Sequence, residues 1–341
     1  MIEPRCDERM DSRERIAVVI PAYQVARHIA QVLAGIPAWV DQIIVVDDAS
    51  QDGTADLAAG VRDPRLEVVR HESNRGVGAA MMTGIDQASR SGCTVVVKMD
   101  GDGQMDPALI GDLVEPILDG EADFVKGNRF ADPWTLRRMP RIRRVGNLAL
   151  SFLTKISSGC WQVFDPTNGF FALDVSVFAR LNRNLIHDRY FFESSLLLAL
   201  RLQDAVILNI PMPANYGDET SSMSIGRVLV EFPFLLARQF ARRIWLQYFV
   251  LGFSVASLFL VCGTLSCAFG AVWGALAWAA SIRQGLPATT GTVMIAVLPL
   301  ILGFELLIQA VVFDVTRVPT RPRSKLWRRR WQRPPAQGPL E

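Results

Sequence analysis

Histidine is scarce in this sequence of 341 residues: only His28, His71 and His187 occur. None adjoins the acidic cluster considered below. That scarcity disfavours chemistry in which an imidazole base activates a hydroxyl. Cysteine is nearly as rare. Cys6, Cys93, Cys160, Cys262 and Cys267 follow no metal-ligand spacing, so no zinc site and no disulfide framework is expected. The first 14 residues carry charge rather than an apolar core, so no signal peptide is expected there. Charge itself is missing from Tyr248 to Ile282, and Gly291 to Phe313 carries only Glu305.

Those two uncharged runs set the class. Half the residues are hydrophobic, with a mean hydropathy of +0.21, and much of that excess lies in the runs. A spanning helix needs roughly 20 apolar residues. The first run suffices for one long helix with an interfacial extension, the second for one helix. A buried core helix is the alternative, but core helices rarely run so long without charge. Arg238, Arg242 and Arg243 precede the first run. Arg317, Arg321, Arg323, Lys325, Arg328, Arg329, Arg330 and Arg333 follow the second. The loop between holds one Arg, Arg283. Positive-inside bias places both flanks in the cytoplasm and the short loop outside. The tail after Arg317 reads as a disordered segment on anionic lipid, or as a solvated stop-transfer tail. The net charge of +2 averages an ordinary domain with this basic tail, and no nucleic-acid partner is expected.

Residues 15–127 alternate between β-rich runs and helical patterns. The runs are 16–20, 42–46, 66–69, 94–97 and 123–126, and the helical patterns cover about 25–36, 54–62, 77–91 and 107–119. Continuously apolar strands alternating with helices imply an α/β fold with a mostly parallel, doubly wound sheet. Ligands of such sheets sit beyond the carboxyl ends of the strands, and polar residues follow positions 20, 46 and 98. Residues 137–158 read as a basic helix, and 191–202 is a clear helix. Residues 225–245 read as an amphipathic, interfacial lead-in to the membrane.

Lys98-Met-Asp100-Gly101-Asp102-Gly-Gln104 carries the strongest chemical signal. Residues i and i+2 of an extended chain share a face, so Asp100 and Asp102 point the same way. Two such carboxylates repel unless a cation lies between them. Mg²⁺ or Mn²⁺ is the natural choice. An Asp-Gly turn capping the next helix is the alternative. Asp47 and Asp48, just past the second strand, can accept hydrogen bonds from a ribose or base; Ser50, Asp52 and Thr54 are helix-capping types. Pro21-Ala22-Tyr23 is a polar turn that could flank a base. Asn74-Arg-Gly76-Val-Gly78 is a Gly-rich entry to a helix, without dinucleotide-binding spacing.

Together these segments resemble family-2 glycosyltransferases, which have the GT-A fold. Ile20-Pro-Ala-Tyr23, Val46-Asp-Asp-Ala-Ser50, Asn74-Arg-Gly76 and Asp100-Gly-Asp102-Gly-Gln104 occur in the family's order. Lys126-Gly-Asn-Arg129-Phe and Asp165-Pro-Thr-Asn168-Gly-Phe170 narrow the resemblance to the polyprenyl-phosphate branch, typified by dolichol-phosphate mannose synthases. The resemblance implies a nucleotide site of Pro21, Ala22, Tyr23, Asp47, Asp48, Asp100 and Gly101. It implies a metal site of Asp100, Asp102 and Gln104, with Asp102 and Arg129 as catalytic residues. Arg129, Arg143 and Arg144 would meet the acceptor phosphate; Asp165, Asn168 and Glu193 would meet the donor sugar. That branch has an acceptor loop with an Arg followed by Gly-x-Ser-Lys, whereas Asn215–Ser222 lacks both basic residues, so the resemblance does not extend to a mannosyl donor.

The implied organisation is a cytoplasmic GT-A catalytic domain over 1–224 and amphipathic juxtamembrane helices over 225–245. A transmembrane region over 246–316 follows, with spans at about 248–280 and 291–314, then a basic cytoplasmic tail over 317–341. The chain would be integral to the inner membrane, with both termini cytoplasmic. The implied activity is inverting transfer of one sugar from a UDP- or GDP-sugar to a polyprenyl phosphate, with Mg²⁺ or Mn²⁺, contributing to a cell-envelope glycan. The scarcity of histidine agrees with a phosphate acceptor. A phosphate monoester has a second pKa of about 6 and needs no base near neutrality. Glu305 and Gln309 can share a helix face and hydrogen-bond. Glu305 is a candidate for a role in the membrane, or for packing against the other span or a homo-oligomer partner. Two rival readings are a processive polysaccharide synthase, for which Gln239-Phe-Ala-Arg242-Arg243-Ile-Trp245 offers an imperfect signature, and a non-catalytic scaffold that binds nucleotide sugar.

Overall fold

The computed structural model describes residues 14–131, 141–213 and 225–325. The chain divides into two compact units, residues 1–240 with 319–341, and residues 241–318.

The first unit is built on a seven-stranded sheet. Its strands are β1 (Ile16–Ala22), β2 (Gln42–Asp47), β3 (Leu66–Arg70), β4 (Val95–Lys98), β5 (Phe124–Asn128), β6 (Phe171–Asp174) and β7 (Ile207–Pro211), in the order β3-β2-β1-β4-β6-β5-β7. All five strands expected from the apolar runs are present. β6 is the exception to parallel pairing, running antiparallel between β4 and β5. The longer helices of this unit among the described residues are α1 (Ile29–Gly35), α2 (Thr54–Ala59), α3 (Val77–Arg90), α4 (Ile110–Leu118), α5 (Arg141–Ser158), α6 (Phe192–Leu202) and most of α7 (Ile225–Trp245).

Alternation along the strands feeds two cores. Ala17 and Val19 pack with Met81 and Ile85 of α3 and Leu197 of α6. Val18 and Ile20 pack with Ile29 and Leu33 of α1 and Leu113 and Ile117 of α4. Both faces of β1 are therefore dry, which is why its residues read as an unbroken apolar run. Strand order reverses between β1 and β4. That switch point opens a crevice at the carboxyl ends of the strands, where the polar motifs lie.

α5 departs from this pattern. Its buried side is polar, with Ser151, Thr154, Ser157 and Ser158. Its outer side carries Val145, Leu148 and Phe152, respectively 69%, 68% and 57% exposed. Ser151 Oγ donates to the Phe164 carbonyl at 2.6 Å, which joins α5 to the loop before β6.

The start of the C-terminal tail is ordered, unlike the disordered segment expected. The Asp123 carboxylate accepts from the backbone N–H of Arg323 and Ser324 at 2.9 and 2.8 Å, and from Val206 N at 2.8 Å. Asp123 is fully buried, and a buried carboxylate is stable only with such donors. Residues 326–341 lie outside the described residues.

The second unit contains a helical hairpin, α8 (Val255–Gln284) and α9 (Thr290–Thr316). Both are long and apolar enough to cross a membrane, and most of their surface is uncovered. That excludes the buried core helix weighed above. The Ser254 backbone N–H donates to Ser257 Oγ at 2.9 Å, and α8 begins at Val255, later than the expected 248. Small residues bring the helices together. A Cβ on Gly263 would lie 2.9 Å from the Gly303 carbonyl oxygen, and one on Gly270 would lie 2.6 Å from that of Ala296. Below the hairpin, Asp314 is buried and accepts from Arg243 Nη1 at 2.7 Å and Tyr248 Oη at 2.6 Å.

Candidate active site

The loops after β1 and β2 are fastened to each other. Backbone N–H groups of Gln24, Val25 and Ala26 donate to Ser50 Oγ, Thr54 Oγ1 and Asp52 Oδ2 at 2.9, 3.0 and 3.0 Å. The N-cap of α2 is Gly53, with no side-chain cap; the residues expected to cap that helix hold the first loop instead. Gln24 and Ala49 occupy left-handed backbone conformations, at φ 56° and 61°, which cost a non-glycine residue about 1 kcal/mol or more. Pro21 and Ala22 close β1, and Tyr23 is 47% exposed beside them.

Asp47 and Asp48 end β2 in contrasting ways. Asp48 is saturated: His71 Nδ1, Arg75 N and Gly76 N lie at 2.7, 2.9 and 2.7 Å from its oxygens. It organises the Asn74–Gly76 turn. Asp47 is equally buried, but only Oδ2 has neighbours, Ser50 N at 3.3 Å and Arg70 Nε at 3.4 Å. Its Oδ1 has no hydrogen-bond partner. A buried acceptor left open costs about 1–3 kcal/mol, so it is suited to a ligand donor such as a base N–H.

The glycines after Asn74 serve packing. Gly76 has φ 98°, and a Cβ there would lie 2.6 Å from the Asp188 carbonyl oxygen. That carbonyl accepts from Gly78 N and Ala79 N at 2.8 and 3.1 Å. The start of α3 is thus closed by protein rather than left for a phosphate.

At the end of β4 the carboxylates do not stand alone. Lys98 is buried, and its Nζ lies 2.5 Å from Asp100 Oδ1 and 3.6 Å from Glu193 Oε1. Burial alone depresses its pKa, but Asp100 and Glu193 outweigh that and hold the ammonium above its ordinary value. Asp102 Oδ1 accepts from Gln104 N at 3.0 Å. Gly169 lets the 165–170 loop lie across this pair, since a Cβ there would meet Lys98 Nζ and come 2.7 Å from Asp100 Oδ2.

That loop carries a second set of charges. Asp165 is fully buried and grips Arg129 with two bonds, Nε to Oδ2 at 2.7 Å and Nη2 to Oδ1 at 3.0 Å. Asn168 donates to the Gly127 carbonyl at 2.9 Å, and its own carbonyl accepts from the buried Lys126 Nζ. Burial lowers the Lys126 pKa to about 8, with Glu193 and Asp165 opposing the fall. Lys98 and Lys126 flank the same residue, Phe171 of β6, in the strand register.

The fold therefore brings Asp100, Asp165, Asn168, Glu193 and Arg129 to one end of the sheet, joined by Lys98 and Lys126. Sequence pattern alone assigns the two lysines no role. The available signal is a Lys closing an apolar stretch in each of β4 and β5, because a buried ammonium requires an acidic partner. The side chains of Arg143 and Arg144, and the loop 215–222, lie outside the described residues. Among the described residues no cluster of three His, Cys, Asp or Glu encloses a cation site. Two carboxylates two residues apart do fit a hard cation that takes its other ligands from substrate phosphates.

Residues 17–181 match the model of the family described as Glycosyl transferase family 2. A UDP-N-acetylglucosamine–dolichyl-phosphate N-acetylglucosaminyltransferase of Methanococcus voltae is 30% identical over 218 residues, 60% of this chain and 86% of that protein. A polyprenol monophosphomannose synthase of Mycolicibacterium smegmatis is 30% identical over 189 residues, 54% of this chain and 71% of that protein. The crystal structure of mannosyl-3-phosphoglycerate synthase from Rubrobacter xylanophilus superimposes with a TM-score of 0.50 at 21% identity, covering 68% of this chain and 74% of that one. It shares the fold.

Proposed function

The chain belongs to glycosyl transferase family 2, and from that premise we propose that it transfers one sugar from a UDP- or GDP-sugar to the phosphate of a polyprenyl phosphate. The observation that carries the lipid acceptor is α5. A helix with serine and threonine inward and Val145, Leu148 and Phe152 outward is unsuited to water and suited to acyl or prenyl chains. It is tied through Ser151 and Phe164 to the loop in which Asp165 grips Arg129. A lipid lying along α5 has its phosphate delivered toward that arginine.

Each site residue then has a task. The open Oδ1 of Asp47 takes a donor hydrogen from the nucleoside, flanked by Pro21, Ala22 and Tyr23; Asp48 shapes the turn behind it. Asp100 and Gly101 lie under the nucleotide. Asp165, Asn168 and Glu193 surround the sugar. Arg129, joined by Arg143 and Arg144, orients the acceptor phosphate; a guanidinium has five N–H donors, so Arg129 can hold Asp165 and a phosphate together. Asp100, Asp102 and Gln104 would hold Mg²⁺ or Mn²⁺, which when bound screens the donor diphosphate and stabilises the departing nucleotide. The phosphate oxygen attacks the anomeric carbon in line, the nucleotide diphosphate leaves, and configuration inverts. No base is required.

The site faces the cytoplasm, on the positive-inside argument. The segments entering and leaving residues 241–318 both belong to the first unit, which supports an even number of crossings.

The test is a panel of nucleotide sugars with polyprenyl phosphate and either cation, followed by mass analysis of the lipid. A single added sugar with one donor is the expected product. A polymer indicates the processive reading. No product, with donor binding retained, indicates the scaffold.

A further inference from the structure

The two sides of α9 are unlike each other. Ala296, Gly303 and Ala310 recur every seventh residue and are buried, and the Gly263–Gly303 approach described above places that side on α8. The opposite side carries Leu298, Ile301, Glu305, Ile308, Val312 and Val315. These are spaced alternately three and four residues apart, which is the seam spacing of a coiled coil. Every one of them is exposed. Glu305 is the one ionisable group of that seam. Gln309 Nε2 donates to its Oε1 at 2.9 Å. Residue 305 lies near the middle of a 27-residue helix, so by length it falls deep in the hydrocarbon.

We propose that this seam is a self-association surface, on which α9 of a second copy of the chain packs in parallel within the membrane. Three features favour a second copy. The seam keeps heptad spacing over its whole length, and left-handed packing of that kind is common among spanning helices. A polar group at one seam position is the device that fixes register and stoichiometry in coiled coils. The pair is also self-complementary. Gln309 has a second N–H, and Glu305 has a second oxygen. Across a two-fold axis each satisfies the other's counterpart, so both polar groups leave the lipid. The small-residue side cannot do this work, because α8 already covers it.

The experiment uses the full chain, labelled separately with a donor and an acceptor fluorophore, mixed in liposomes at a high lipid-to-protein ratio. Wild type should transfer energy well above the random-collision level. Unlabelled wild-type chain should compete that signal away. The double variant Glu305→Leu with Gln309→Leu should lose at least half of it, whereas Glu305→Gln, which still hydrogen-bonds, should retain most. Sugar transfer by each variant reports that the catalytic unit is folded. A collision-level signal in wild type overturns the proposal. So does full transfer in the double variant, or signal lost instead on replacing Ala296 and Ala310 with leucine.

Discussion

α4 and α5 belong to the same unit, yet they wear their apolar residues on opposite sides. α4 buries Ile110, Leu113, Val114 and Ile117 and leaves Glu115 outside. α5 buries serine and threonine and turns Val145, Leu148 and Phe152 outward. The first is an ordinary surface helix of a domain in water. On the proposed function the second meets lipid on its outer side, so one domain would serve two media. The difference teaches that amphipathicity alone does not say which face is the core.

Substitutions on the two helices and at the site separate these roles. The largest effect falls where charge is buried. Asp165→Ala leaves Arg129 beside a vacated, fully buried site; because Arg129 is itself partly exposed, the cost falls below that of breaking a fully buried pair, about 3–5 kcal/mol. It should lower the melting temperature sharply and abolish transfer, read by thermal unfolding and product assay. Leu113→Ala in α4 comes next. A buried leucine lost to alanine costs about 2–5 kcal/mol, with activity preserved per folded molecule.

The matching change in α5, Leu148→Ser with Phe152→Ser, should shift stability by no more than about 0.5 kcal/mol. It should raise the KM for long-chain polyprenyl phosphate and leave the KM for the nucleotide sugar unchanged. Destabilisation as large as that of Leu113→Ala would place the stripe in a core and erase the contrast.

A separate effect is a pH dependence. Lys126 has its folded pKa lowered by burial from 10.5 to about 8. The unfolded chain therefore binds the extra proton between those values. Stability should rise as pH increases from about 8 towards 10.5, relative to Lys126→Met, which lacks this slope. Thermal unfolding across that range is the check.

Much of the fold was legible in local pattern. The β1, β2 and β4 runs were readable because both faces are dry, and Asp100 and Asp102 stand out by their spacing after β4, although the chain turns at 101–103 instead of staying extended. The Glu305–Gln309 bond followed from helical spacing alone. The ion pairs of the site were not legible. They depend on β6 inserting antiparallel between β4 and β5, which brings Lys98 and Lys126 to either side of Phe171; no local period encodes that. Asp47 and Asp48 were indistinguishable as neighbours. Only the turn at Gly76, folded back onto Asp48, separates a saturated carboxylate from an open one. The outward side of α5 was hidden because its arginines dominated the reading of 137–158.

In the proposed reaction, arginine and a lipid phosphate replace a general base. The most direct test offers the full chain its preferred nucleotide sugar with either a polyprenyl phosphate or the polyprenol of the same length. Mass analysis should find sugar on the phosphate and none on the alcohol. Comparable transfer to the alcohol would contradict the account.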